Sequence, residues 1–332
     1  GAFSALVALA RATGARVAWI PRRAGERGAV EAGALPTLLP GGRSVADAAA
    51  RAEVAQRWGV DLDAVPAAPG RDITGILTAA RDGKLGGLLI GGVDPYDLPE
   101  PSLAEAALAG AGFVVSLEMF PSAVTEWADV VLPVAAAPEK AGTYLDWEGR
   151  ARTFDATLHG TGQLPDGRVL QGLADEMDVD LRLPTPEAAR AELAALGTAR
   201  RPGEGAGLDV RPPAAPELAA GETAVLASWR QLIDAGTLQR DEPELAGTAR
   251  PSVARVGPDV ARRLGLADGD RLTVSGATGS VSLPVRITAM PDRVVWLPMR
   301  SPGSEIRTGL GSGPGGVVRL SRTSADTVGE LR

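Results

Sequence analysis

The chain has 332 residues, of which 45% are hydrophobic and 23% charged, and a formal net charge of −7. That is a globular balance, long enough for two buried cores. It contains no Cys, no Asn and a single His, His159, which excludes iron–sulfur ligation, a thiol nucleophile, a disulfide framework and a His/Cys zinc site within it. No uncharged apolar run reaches the roughly 18 residues a membrane-spanning helix needs, so direct membrane insertion is not expected. Of the 34 basic residues only Lys84 and Lys140 are lysine, a bias that reads as GC-rich coding rather than function. The first residue is Gly1, an Ala/Leu-rich helix begins at once, and no basic leader precedes it. A fragment or processed product is therefore expected, with its first helix continuing a missing part, in a cytoplasmic location.

Along the chain, Ala2 to Thr13 is helix-like, and Gly14 leads into the apolar run Val17 to Ile20. Ser44, with Asp47 three residues on, predicts a second helix through Val45, Ala48, Ala52, Ala55 and Trp58, ended by Gly59. Asp72 caps a third, through Ile73, Ile76, Leu77 and Ala80 to Gly83, and Gly87 to Ile90 follows as a strand. Ser102 with Glu105 caps a fourth, closed by Gly110 before the strand at Phe113 to Val115. Ser122 to Trp127 reads as a short helix and Val130 to Leu132 as another strand. Short apolar strands separated by amphipathic helices predict βαβ units, hence an α/β, doubly wound and mostly parallel sheet.

The later part has another rhythm. From Leu245 to Arg332 there are 12 Arg against seven Asp and Glu, a balance of +5, which leaves −12 for the rest of a chain whose total is −7. Between them, Gly197 to Pro216 carries Arg201-Pro202-Gly203 and Arg211-Pro212-Pro213 and reads as a linker. The expected organisation is 1–196 as a sheet domain, 197–246 as a linker with a connecting helix, and 247–332 as a small β-barrel. In that last module Pro258 to Leu264 is a short helix ended by Gly265. Leu272 and Val274 alternate with polar neighbours, as do Val281, Leu283, Val285 and Ile287. Pro284 marks an edge or bulge, because it cannot donate to a ladder. Val294 to Leu297 and Val317 to Leu320 complete four strands joined by Gly-rich turns, the pattern of a small barrel.

Several residues invite chemistry. Asp94 follows Gly91-Gly92-Val93 where a parallel strand ends, the usual ligand position of open sheets. Gly309 to Gly316, flanked by Arg300 and Arg307, offers backbone N–H groups and guanidinium forks for pyrophosphate, against the simpler reading of a flexible connection. It is not a P-loop, since no Lys-Ser/Thr pair follows, and no GxGxxG marks an NAD site. His159 lacks a nucleophile elbow and reads as a surface residue. Asp129, Glu139, Asp146 and Glu148 are spaced irregularly and read as loop acids. With aromatics at 4% and no basic stripe among them, no nucleic-acid partner is expected.

Two stretches carry a family resemblance. The run Ala128-Asp129-Val130-Val131-Leu132-Pro133, followed by Glu139-Lys140-Ala141-Gly142-Thr143 and the hairpin to Glu148-Gly149-Arg150, resembles the molybdopterin oxidoreductase superfamily. The run from Ala261 to Asp270 resembles that superfamily's dinucleotide-binding domain, a double-psi β-barrel. Arg22 to Ala29 and Ser301 to Ser304 are similar to the branch of that superfamily found in the peripheral arm of bacterial NADH-quinone oxidoreductase (complex I), in its C-terminal part. This resemblance implies a structural, non-catalytic portion with no cofactor of its own, iron–sulfur clusters on missing N-terminal domains, and other peripheral-arm subunits as partners. It also implies a place at the cytoplasmic face of the membrane through the complex. The alternative is the cofactor-binding half of a catalytic, formate dehydrogenase-like enzyme, in which Asp94, Glu118, Arg150 and Arg300 hold a molybdopterin dinucleotide. Two departures favour the first reading. Ser122-Ala123-Val124 replaces the Thr-Glu-Thr of catalytic relatives, and Asp146 replaces the hairpin's usual Asn, adding a charge that would repel a phosphate by roughly a few kcal/mol.

Overall fold

The computed structural model describes residues 2–21, 25–198, 217–219 and 221–323. Contacts divide the chain into two units, Gly1–Gly92 with Ala107–Pro213, and Val93–Ala106 with Ala214–Arg332.

Unit 1 begins with α1 (Ala2–Thr13), as its composition predicts. The run Val17 to Ile20 forms no strand, and Val17, Trp19 and Ile20 are exposed. Four apolar residues without a neighbouring ladder do not make a strand on their own. After α2 (Glu26–Glu31), β1 (Leu38–Leu39) and β2 (Arg43–Ser44) pair, and α3 (Ala48–Trp58) follows. The cap of α3 is Asp47, whose carboxylate accepts the N–H groups of Ala49 and Ala50, and not Ser44, which pairs with Leu38 in β2. Gly59, at φ 69°, ends the helix as expected. Val54 and Ala55 bury against Leu39, Val45, Val65 and Leu196, the last residue of α7 (Pro186–Leu196). Arg43, only 2% exposed, ties these segments by donating to the carbonyls of Pro40, Leu196 and Gly197.

Asp72 caps α4 (Ile73–Arg81) through the N–H of Gly75. The strands β3 (Leu88–Gly91), β4 (Val114–Glu118) and β5 (Val130–Pro133) form a parallel sheet in that order, with Leu89, Val115 and Val130 in register. The β3–β4 crossover runs through α5 (Pro101–Gly110), which starts one residue before the expected cap because proline suits the first helical position. Ser122 to Trp127 is a turn and not a helix. The Ser122 hydroxyl accepts from Val124 and Thr125 and diverts the backbone. Leu108, Val114 and Val124 form the core beside this sheet. A hairpin of β6 (Gly142–Leu145) and β7 (Ala151–Phe154) and the helix α6 (Asp166–Glu176) follow. Gly142 is required there, since a Cβ would sit 2.5 Å from the Phe154 ring that covers it.

Unit 2 is a closed barrel of β8 (Thr223–Trp229), β9 (Ala254–Val256), β10 (Arg271–Ser275), β11 (Ser280–Ile287), β12 (Val294–Pro298) and β15 (Val317–Arg322). Around the barrel they run β10-β11-β9-β12-β8-β15 and back to β10. The pairs β11–β9 and β12–β8 are parallel and the rest antiparallel. Exchanging the first three strands for the last three reproduces the same pairing, so two identical half-motifs interlock, as expected of a double-psi barrel. Two strands are not legible in the sequence. β8 lies inside the stretch read as a linker, where Ala224 and Ser228 weaken the alternation, and β9 has only three residues.

The alternation read in β10 and β11 is the burial pattern observed, with Leu272, Val274, Val281, Leu283 and Val285 facing inward. β11 gains its β9 partner only from Val285 onward, so Pro284 sits where no donor is needed on that side. Between β12 and β15 lie β13 (Arg300–Ser301), β14 (Ser304–Glu305) and α10 (Ile306–Leu310). Leu226, Leu272, Leu297, Ile306 and Leu310 are all under 2% exposed, each contributing about 1.5–3 kcal/mol of burial. α8 (Pro243–Ala246) and α9 (Pro258–Leu264) complete the unit, and Gly265 (φ 62°) ends α9. Among the described residues no helix is long and apolar enough to cross a membrane.

Candidate functional site

Charge converges at one place in unit 2. The chain leaves β3 through Gly91-Gly92, and Asp94 caps a single 3-10 turn, Pro95–Asp97, by accepting the N–H of Tyr96 at 3.0 Å. Immediately after β12, β13 presents Arg300, whose Nη1 lies 2.5 Å from Asp94 Oδ2 and 3.0 Å from Asp97 Oδ1. From the end of β8, Arg230 reaches the other oxygen of Asp97 at 2.7 Å and Asp234 at 2.6 Å. Asp234 also accepts the N–H of Gly236, and the backbone of Ala235 donates to the Arg300 carbonyl. From α10, Arg307 donates to the Asp97 carbonyl. The Arg300 guanidinium also stands 6.0 Å from the Tyr96 ring centroid.

Burial disfavours the charge on Asp97, but the hydrogen bonds from Arg230 and Arg300 outweigh it and lower its pKa. The same balance raises Arg300, which burial penalises and Asp94 and Asp97 stabilise, and raises Arg230 through Asp234 and Asp97. Asp97, Arg300 and Arg230 therefore remain charged at neutral pH.

Of the four residues singled out as pterin contacts, Asp94 and Arg300 are brought together, but as partners of one another. Glu118 ends β4 opposite Pro133, and Arg150 is exposed and pairs with Glu148 at 2.7 Å; both belong to unit 1. Asp97, Arg230 and Asp234 escape sequence reasoning. Their only traces in the sequence are an Asp pair three residues apart and an Arg–Asp pair four apart, too common to single out.

The motif acids serve the backbone. Asp129 accepts the buried N–H of Val114 at 2.7 Å and its own N–H bonds the Val114 carbonyl, which fixes the start of β5 against β4. Glu139 accepts the N–H of Ala136 at 2.6 Å, and Lys140 pairs with Asp166 at 2.6 Å. Asp146 closes the β6–β7 hairpin by accepting the N–H groups of Arg150 and Glu148, and these bonds, Arg150 first, lower its pKa. His159 is exposed.

The glycine run from Gly309 ends α10 and then forms the connection to β15; within it the N–H groups of Gly315 and Gly316 bond the carbonyls of Leu226 and Gly313, leaving neither free for phosphate.

These residues do not fit an anionic pterin dinucleotide. Arg300 is held by two carboxylates, Asp94 is nearly enclosed at 9% exposure, and the cleft lined by Tyr96, Asp97, Met299, Arg300, Glu305 and Arg307 is a cavity of only about 10 Å³, room for a single water. That is below the roughly 300–1,000 Å³ of ordinary small-molecule sites. Among the described residues no three His, Asp or Glu side chains converge as a metal-ligand set.

A fold of parallel sheet and double-psi barrel, with these motifs, defines a class. The chain matches the family "Molybdopterin oxidoreductase" over residues 2–164 and the "Molydopterin dinucleotide binding domain" over residues 228–325, and it belongs to the molybdopterin oxidoreductase superfamily. Among individual proteins it is similar to the G subunit of NADH-quinone oxidoreductase. It is 53% identical to that of Mycobacterium tuberculosis over 329 residues, covering 98% of this chain and 40% of the relative. To that of Streptomyces coelicolor it is 52% identical over 325 residues, 96% of this chain and 38% of the relative. The chain thus spans about two fifths of the length of these relatives. A putative formate dehydrogenase of Bacillus subtilis is 30% identical over 172 residues, 51% of this chain and 17% of that protein. In fold the chain resembles acetylene hydratase from Pelobacter acetylenicus, with a TM-score of 0.51 and 18% identity, covering 82% of this chain and 50% of that one.

Proposed function

We propose that this chain is a structural, non-catalytic part of the G subunit of an NADH-quinone oxidoreductase. It would support electron transfer from NADH to quinone through iron–sulfur clusters carried on other domains of the longer protein. The observation that carries this reading is the double claim on Arg300. The guanidinium that a molybdopterin enzyme would offer to its cofactor is neutralised by Asp94 and Asp97. The motif acids support the same conclusion, because Asp129, Glu139 and Asp146 are committed to backbone N–H groups. Asp94, Glu118, Arg150 and Arg300 are then remnants of a pterin site.

The partners in this reading are other peripheral-arm subunits of complex I, with no nucleic acid and no membrane insertion by this chain. Its location is the cytoplasmic face of the membrane, held there through the complex. The organisation proposed is a sheet domain over 1–196 and a barrel domain over 247–332, the 197–246 stretch between them giving the barrel its first strand, β8, and not serving as a connection alone. Elemental analysis and pterin fluorescence of the full-length protein test it. The expected result is neither molybdenum, tungsten nor pterin. Stoichiometric metal would transfer the protein to the alternative, the cofactor-binding half of a formate dehydrogenase-like enzyme.

A further inference from the structure

We infer that the acidic turn Asp94–Asp97 is a built-in ligand of the barrel unit, a pair of carboxylates occupying an anion site that the barrel's arginines would otherwise present. Three guanidinium groups from three separate places reach this one turn: Arg230 at the end of β8, Arg300 in β13 and Arg307 in α10. Such convergence of planar forks is the arrangement that binds phosphate oxygens. Here the oxygens come from the chain itself: Oδ2 of Asp94, both carboxylate oxygens of Asp97 and the Asp97 carbonyl.

Two further observations support substitution over ordinary surface pairing. The segment Val93–Ala106 belongs by its contacts to the barrel unit, so the turn is part of the barrel's own packing. And the Arg300 Nε is enclosed with no hydrogen-bond partner among the described residues, although both side-chain acids reach its Nη1. The two acids thus engage the Arg300 fork at one nitrogen and leave a donor that a bidentate phosphate would take. The inference holds whether or not the longer protein joins a respiratory complex, because it concerns geometry within one unit.

Asp97 is the member to remove, being about a third exposed and shared by two arginines, whereas Asp94 also caps the turn. The experiment titrates inorganic pyrophosphate into the full-length protein by calorimetry, comparing the native sequence with Asp97→Ala and with Asp97→Ala/Arg300→Met. The native protein should show no saturable binding in the millimolar range. Asp97→Ala should bind at least about tenfold more tightly, weakening as salt rises, and the added Arg300→Met should abolish the gain. Asp97→Asn, which keeps the shape and removes the charge, carries the same comparison if the alanine variant melts early. Pyrophosphate binding equal in native and variant proteins, or a cooperatively folded variant with no gain, overturns the inference. Neither result bears on the molybdenum content that tests the proposed function.

Discussion

Replacing Arg300 by Met keeps the unbranched stem of the side chain and deletes the guanidinium charge that joins the turn at Asp94 to the barrel. Arg300 makes charge-assisted hydrogen bonds of 2.5 Å to Asp94 and 3.0 Å to Asp97. Asp94 is 9% exposed and would be left without its cation, whereas Asp97 keeps Arg230 at 2.7 Å and is about a third exposed. Breaking a fully buried pair from one side costs about 3–5 kcal/mol, and a hydrogen bond to a charged group contributes about 1.5–3 kcal/mol. With one partner stranded and the other rescued and partly solvated, the expected loss is about 2–4 kcal/mol. For a unit of this size a kcal/mol moves Tm by roughly 3–4 °C, so the transition should fall by about 6–15 °C. The assay is urea and thermal unfolding of Arg300→Met, Asp94→Asn and the double variant. Because the two residues touch, the cycle should show a coupling of about 1–3 kcal/mol. Additive losses, or a single variant within about 0.5 kcal/mol of the native protein, would refute the reasoning.

Three further outcomes are expected. Asp129→Ala strips the partner from the buried N–H of Val114 and should cost about 1–3 kcal/mol, with faster hydrogen exchange at that amide; unchanged exchange would show that the carboxylate does not hold the strand start. Gly276→Ala should destabilise the barrel by about 1–3 kcal/mol or more, since the new methyl would press into the Leu310 carbonyl well inside van der Waals contact, and a native melting curve would contradict that close approach. Asp97 has its pKa lowered in the folded state, so its stabilising contribution is present above the ordinary carboxylate value of about 3.9 and is lost as pH falls below it. Urea midpoints followed from pH 6 downward should drop less steeply in Asp97→Asn than in the native protein; parallel curves would remove Asp97 from the acid transition.

The kind of fold is written locally. Asp72 and Gly59 mark helix ends because a side-chain acceptor and a left-handed residue satisfy orphan backbone groups wherever they occur. The two-residue alternation of β10 and β11 identifies an inward face before any partner strand is known. Within the Ala128 to Arg150 motif, Asp146 closes its own hairpin through neighbours in the chain, whereas Asp129 bonds Val114, 15 positions away in the adjacent strand. The cap of α3 and the turn after Ser122 are misread from sequence because Ser, Thr and Asp serve caps, turns and strands alike, and neighbours decide among them. The site lies beyond the sequence. Asp94 and Arg300 each stand out, but as rival contacts for an absent anion, and nothing in the chain order says that residues 206 positions apart meet. Coulomb attraction depends on a separation set only when the barrel closes and draws the turn after β3 onto Arg230 and Arg300. Sequence thus determined that oppositely charged groups were present in the right architecture, and tertiary structure decided that they neutralise each other.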